Sequence, residues 1–178
     1  MAQANGRPNT APDTAPADHA NAAPDPAERP ERAAWMGLLA RAAPADLAAA
    51  MTAAERALGG FPRHRWLRAP EIGTVMVQAR IGGTGQAYNQ GEITVTRAAL
   101  RLPCGTVGHA WVGGRDRDHA TRAAMADALL QRAASAPAIR DRVLGPLAAR
   151  ERAVAAETAA KAAATKVDFF TLVRGENA

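Results

Sequence analysis

The chain has 178 residues, a formal net charge of +5 and a single cysteine. This length suits one domain of ordinary size and is too short for two. The lone cysteine excludes an intrachain disulfide. No uninterrupted apolar stretch approaches the roughly 18 residues that a membrane-spanning helix needs, so we expect a cytoplasmic protein that binds no membrane.

The first thirty residues are rich in Ala, Pro, Asn and Asp and contain no Val, Ile, Leu, Phe, Trp or Tyr. Such a segment cannot bury enough apolar area to offset the entropy lost on ordering. We therefore predict a disordered tail over 1–30 and a single domain over 31–178. The tail has no apolar run of the kind found in a signal peptide.

Two short helices are predicted after the tail. The first, over 31–42, has large apolar side chains at helical spacing, and Pro44 then interrupts the pattern. The second, over 45–58, is followed by Gly59, a residue that commonly ends a helix.

A β region is predicted in the middle of the chain, after a basic connector over 61–70. Apolar and polar residues alternate over 71–81 and again over 91–102. After a turn, 106–114 reads as a returning strand. Short connections make neighbouring strands antiparallel, so we predict a meander with one face available for helices or a partner.

Two longer helical patterns follow. In the first, over 115–135, either Asp116 or Asp118 can cap the helix. The second runs over 137–166, and Gly145–Pro146 is expected to kink or split it.

The C-terminal segment, 166–178, contains the adjacent Phe169 and Phe170 and is a candidate fourth strand. The predicted fold class is therefore α+β, with a three- to four-stranded antiparallel sheet (meander) packed with about four helices.

The densest group of glycines lies between the first two predicted strands. A phosphate-binding P-loop needs GxxxxGK[ST] and a following helix, and this segment has neither. Two interpretations remain. The glycines could form an anion-binding concavity of backbone N–H groups, or they could belong to a β–β loop in which they permit positive φ. The residues favour the second interpretation, the β–β loop. The candidate ligand or shared-site residues are Arg80, Gly82, Gly83, Thr84 and Gly85.

Other chemistry is sparse. His109 and His119 border one loop, but a metal site needs three or more ligands. Cys104 has no evident cation beside it, and Ser135 is the only serine. We assign no catalytic, cofactor-binding or metal-ligating residue. A nucleic-acid-binding module is an alternative, but the arginines alternate with acidic residues rather than forming a basic run.

Aromatic, Met and Arg side chains are enriched at protein interfaces. Helices made mostly of alanine bury little apolar area, so a domain of this composition gains stability from a partner. The predicted partner interface comprises Trp35, Met36, Trp111, Arg115, Val167, Phe169, Phe170 and Arg174.

Four blocks of sequence resemble the PhnG family, the G subunits of the bacterial carbon–phosphorus lyase core complex. They read AAWMGLLARA, then ARIGGTGQAYNQGEITVTRAALRL, then GTVGHAWVGGRDRDHA with DALLQ following, and finally KVDFFTLVRG. Together they span about residues 32–175, nearly all of the predicted domain.

The resemblance implies a cytoplasmic subunit of an assembly with the H, I and J subunits. With the I, H and L proteins, such a subunit supports displacement of adenine from MgATP by a phosphonate, which gives ribose 1-phosphonate 5-triphosphate. The J subunit, a radical S-adenosylmethionine enzyme with an iron–sulfur cluster, then breaks the C–P bond.

Because the displacement chemistry is attributed to the I subunit, the resemblance implies a required subunit with a mainly structural role. It also implies that this chain alone binds no cofactor, and a single cysteine could not hold a four-cysteine cluster. The alternative is that the glycine-rich loop contributes to a shared nucleotide or phosphonate site.

Overall fold

A computed structural model of the protein describes residues 30–166. Three strands form one antiparallel sheet in the order β1-β2-β3, which confirms the predicted α+β class and meander. Residues 1–29 of the predicted tail and residues 167–178 of the candidate fourth strand lie outside the described residues, whereas Pro30, the last residue of the predicted tail, begins a helix. The elements are α1 (Pro30–Arg41), α2 (Pro44–Leu58), β1 (Arg65–Arg80), β2 (Ala87–Arg101), β3 (Val107–Gly113), α3 (Arg117–Leu130), α4 (Ala136–Ile139) and α5 (Gly145–Ala164).

Strand β1 begins at Arg65, inside the segment that we expected to be a connector. Pro70 is tolerated there because β1 is an edge strand and because its pairing with β2 is irregular between Arg68 and Glu71. A proline cannot donate a ladder hydrogen bond, so edge strands and bulges are where it is accepted. The alternation pattern alone does not extend across such a bulge, and the prediction therefore began the strand too late.

One face of the sheet packs on α3 and carries the core. Ala98 and Leu100 of β2 lie on this face together with their β3 partners Ala110 and Gly108. Gly108 marks the closest approach, since a Cβ built there would lie 2.0 Å from the Ala124 carbonyl oxygen of α3. The absence of a side chain at this position therefore lets helix and sheet come into direct contact.

Helix α3 begins as predicted and ends earlier. Its N-cap is Asp116, whose Oδ1 accepts from the His119 N–H at 2.8 Å. The helix stops at Leu130, short of the predicted end at 135, and the Ser135 hydroxyl donates to the Leu129 carbonyl at 2.7 Å. That bond competes with continuation of the helical hydrogen-bond pattern.

The interruption expected at Gly145–Pro146 takes the form of a π-helical turn, Arg140–Leu144, between α4 and α5. The Gly145 N–H donates to the Arg140 carbonyl, five residues earlier. Since Pro146 has no N–H to donate, the wider turn lets the chain pass the proline and continue as α5. Across residues 30–166, no helix combines the length and the apolar character that crossing a membrane requires.

Candidate functional site: an open sheet face and a two-stranded arm

The outer parts of β1 and β2 form a two-stranded arm, defined here as residues 73–80 and 87–94 with the loop between them. Strand β3 ends at Gly113, opposite Val95, so no third strand pairs with the arm in the described part of the chain. At about 3.4 Å per residue, eight residues extend roughly 27 Å. A two-stranded hairpin is marginally stable in water on its own, so packing against another surface would stabilise the arm.

Large apolar side chains are exposed along this arm and beside it. We call the sheet face opposite α3 the open face, because Ile93, Tyr88 and Trp111 on it are 51%, 45% and 49% exposed. Val75 faces Ile93 across the strands and continues the apolar strip. Met76, on the other side of the arm, is 54% exposed. Contiguous exposed apolar surface of this kind marks interaction sites on soluble proteins.

A charged cluster borders the apolar strip. Glu71 of β1 lies opposite Arg97 of β2, and its Oε1 accepts from Arg97 Nε at 2.6 Å and also from Arg68. The hydrogen bond from Arg68, followed by that from Arg97, lowers the pKa of the Glu71 carboxyl. The Arg97 guanidinium carbon also lies 5.5 Å from the centre of the Trp111 ring. These contacts order the open face across all three strands.

The glycine-rich loop is the tip of the arm, and its glycines are explained by the turn. Gly82 and Gly83 have φ of 59° and 82°, in the left-handed region, and a Cβ at either would meet nothing within 4 Å. The Gly85 N–H donates to the Ile81 carbonyl at 2.8 Å, and Arg80 Nη1 donates to the Gly85 carbonyl at 3.2 Å. The structure thus brings Arg80 together with the glycines, and Arg80 closes the loop. Whether the loop contacts a ligand stays a prediction.

The fully buried Asp127 of α3 is a central residue that the sequence reasoning did not identify. Its carboxylate accepts from Arg32 Nη2 at 2.7 Å, from the Trp35 indole N–H at 2.9 Å and from the His109 backbone N–H at 2.9 Å. Gln131 Nε2 and Arg32 both donate to the Val107 carbonyl. These groups cover the outer edge of β3, where unpaired backbone groups could otherwise pair with another strand.

A signal for Asp127 was present in the sequence. It is a lone carboxylate within MADALL, and three of its four neighbours at i±3 and i±4 are alanine or leucine, the fourth being Gln131. A charged group in a mostly apolar helix is rarely buried without a partner, so this pattern predicts a cationic partner elsewhere in the chain.

The residues predicted to form a partner interface differ in how exposed they are. Trp35 is half-buried and its N–H is used internally by Asp127, whereas Trp111 and Arg115 are exposed. Met36 and Trp111 share a cavity of about 190 Å³ between α1 and β3. Four further predicted residues lie outside the described residues, namely Val167, Phe169, Phe170 and Arg174.

The other candidate groups have local partners. His119 is buried with its Nε2 2.8 Å from the Leu39 carbonyl oxygen. Cys104 is exposed, and the hydrogen bond with Thr106 lowers the pKa of its thiol, with a smaller contribution from the Arg132 charge. Within residues 30–166, no three His, Cys, Asp or Glu side chains are grouped closely enough to hold a metal ion.

Comparison with known proteins agrees with the resemblance noted from the sequence. The profile of the family described as "Phosphonate metabolism protein PhnG" matches residues 30–175. A protein of Rhizobium meliloti (strain 1021), named "Alpha-D-ribose 1-methylphosphonate 5-triphosphate synthase subunit PhnG", is 44% identical over 150 residues. That alignment covers 83% of this chain and 91% of the relative.

Proposed function

The chain belongs to the PhnG family of phosphonate metabolism proteins, and from that premise we propose that it is a subunit of a ribose 1-methylphosphonate 5-triphosphate synthase. Its role in this proposal is structural, and the open face and the arm bind the I subunit. The H and J subunits and the L protein complete the system, MgATP is a substrate of the assembly, and this chain binds no cofactor by itself.

The arm is the observation that carries the proposal. Its two strands reach beyond β3 and expose Met76, Ile93 and Tyr88, each close to half accessible or more. Burying apolar surface contributes about 25 cal/mol per Å², so a partner on this surface would gain substantially from covering it. A catalytic role for the chain finds no comparable support among the described side chains, because His119 and Ser135 both bond backbone carbonyls.

Co-expression tests the assembly. We expect this chain to co-elute with the H, I and J subunits in one large particle on size-exclusion chromatography. A stable monomer recovered outside that particle, with the other subunits assembled without it, would contradict the proposal.

A pair of charge substitutions tests the surface. Ile93→Glu places a carboxylate on the open face, and its position is 51% exposed, so the fold should tolerate it. Val154→Glu on α5 is the matched control, at a valine that is 46% exposed. We expect Ile93→Glu to lose co-purification with the I subunit and Val154→Glu to retain it. Equal retention by both variants would place the partner elsewhere.

The glycine-rich loop offers a second, narrower possibility, a contribution to a shared nucleotide or phosphonate site. The support for it is that Arg80 lies at the tip of an exposed loop. Arg80→Ala in the assembled complex should then raise KM for the nucleotide without dissolving the particle. An unchanged KM for the nucleotide would mean that the loop has only a structural role.

A further inference from the structure

A basic cleft lies at the opposite end of the sheet from the arm, where β1 begins and β2 ends. Its volume is about 380 Å³, and it is lined by Arg63, His64, Arg65, Arg101, Leu102 and Pro103. Among residues 30–166, the lining contains three arginines and a histidine but no carboxylate. Such a surface concentrates positive potential in a concavity, which raises the local concentration of anions.

The strand register places two of these arginines against each other. Arg65 lies directly opposite Arg101 in the antiparallel ladder, and both are exposed. Like charges at directly opposed positions destabilise a sheet. Within residues 30–166, the guanidinium groups of Arg63, Arg65 and Arg101 form no ion pair and no side-chain hydrogen bond.

The same pair of strands shows that a counter-charge could have been supplied. A few residues along, Glu71 lies between Arg68 and Arg97 and accepts hydrogen bonds from both. At Arg65 and Arg101 the corresponding carboxylate is missing among the described residues. The repulsion is therefore retained at this end of the sheet, and an external anion would relieve it.

We propose that the cleft is a binding site for an oligophosphate group, held by Arg63, Arg65 and Arg101. The planar guanidinium matches phosphate oxygens in a bidentate fashion, which makes arginine the preferred side chain for this anion. A single phosphate group carries about −1.5 to −2 charges, too little to neutralise three guanidinium groups. A chain of two or three phosphates carries enough negative charge to neutralise all three guanidinium groups.

The surroundings of the cleft favour a small oligophosphate over a nucleic acid strand. In the described part of the chain, the one aromatic residue that lines it is His64, whose ring meets Trp66 edge-on at 4.7 Å between centroids. Single-strand binding relies on aromatic side chains on which successive bases stack. The proposal follows from the geometry of this chain alone and does not depend on the proposed function.

Isothermal titration of the full chain with inorganic tripolyphosphate tests the site. We expect saturable binding at least about tenfold tighter than that of orthophosphate. The variant Arg65→Gln/Arg101→Gln should weaken tripolyphosphate binding by about tenfold or more. The control Arg56→Gln/Arg152→Gln removes the same charge from exposed positions on α2 and α5 and should leave binding unchanged.

A thermal denaturation series separates loss of binding from loss of folding. Without ligand, Arg65→Gln/Arg101→Gln should melt at or above the wild-type temperature, because the opposed charges are gone. Tripolyphosphate should raise the melting temperature of the wild type and of the control, but not that of this variant. The proposal is overturned by the absence of saturable binding, by equal binding of the two double variants, or by citrate or single-stranded DNA binding as tightly as tripolyphosphate.

Discussion

Replacement of Asp127 should destabilise this protein more than any exposed charge substitution. Asp127→Ala leaves the Arg32 guanidinium, the Trp35 N–H and the His109 N–H without their shared acceptor. The Asp127 side chain is 0% exposed and that of Arg32 only 12% exposed, so water replaces the carboxylate poorly.

The magnitude follows from these contacts. Breaking a buried ion pair by removal of one partner costs about 3–5 kcal/mol, and each buried donor left unsatisfied costs about 1–3 kcal/mol. These costs overlap because the donors share one carboxylate, so we expect a total of about 3–5 kcal/mol. For a domain of this size the melting temperature should fall by roughly 10–15 °C.

Urea denaturation of the purified chain measures the effect, with Glu151→Ala as the control. Glu151 pairs with Arg41 on the surface, with side chains 47% and 64% exposed, and such pairs contribute at most about 1 kcal/mol. Asp127→Asn separates charge from volume, because it keeps the shape but replaces one acceptor oxygen with a donor. A loss for Asp127→Ala within about 1 kcal/mol of the control would refute the idea that this carboxylate joins α1, β3 and α3.

Three further outcomes are expected. Gly108→Ala should lower the free energy of unfolding, measured by urea denaturation, by about 1–3 kcal/mol, because its Cβ would lie 2.0 Å from a helix carbonyl oxygen. Gly113→Ala is the control and should be tolerated, because its Cβ would meet nothing within 4 Å; equal effects of the two substitutions would contradict the close approach at Gly108. Burial, followed by the Arg32 charge, lowers the pKa of the His109 imidazole below its ordinary 6.5. The unfolded chain then takes up this proton at a higher pH than the folded chain, so the free energy of unfolding should fall as pH drops below about 6.5. His109→Gln should make the free energy of unfolding depend less on pH in this range. An unaltered pH dependence in His109→Gln would mean that another group causes it. Thr106→Val should slow iodoacetamide alkylation of Cys104 near neutral pH, because the hydrogen bond that lowers the thiol pKa is lost; an unchanged rate would mean that the bond does not tune the thiol.

Local pattern was sufficient for the element types and for their order. Period-two alternation identified the three strands, and helical spacing identified the long helices. The glycine-rich stretch was correctly assigned to a strand-to-strand connection, because it lacks the lysine and the following helix of a phosphate loop. Boundaries were less well determined where long-range contacts decide them. Strand β1 runs through Pro70 because pairing with β2 holds it there.

The sequence by itself determined the fold class and the family resemblance. Only the tertiary structure decided which distant residues meet. Arg32 reaches Asp127 across 95 positions, and Arg65 faces Arg101 through a register that includes bulges. The physical reason is that periodicity specifies the face on which a side chain lies, whereas its neighbour on that face depends on register, helix packing and closure of the core.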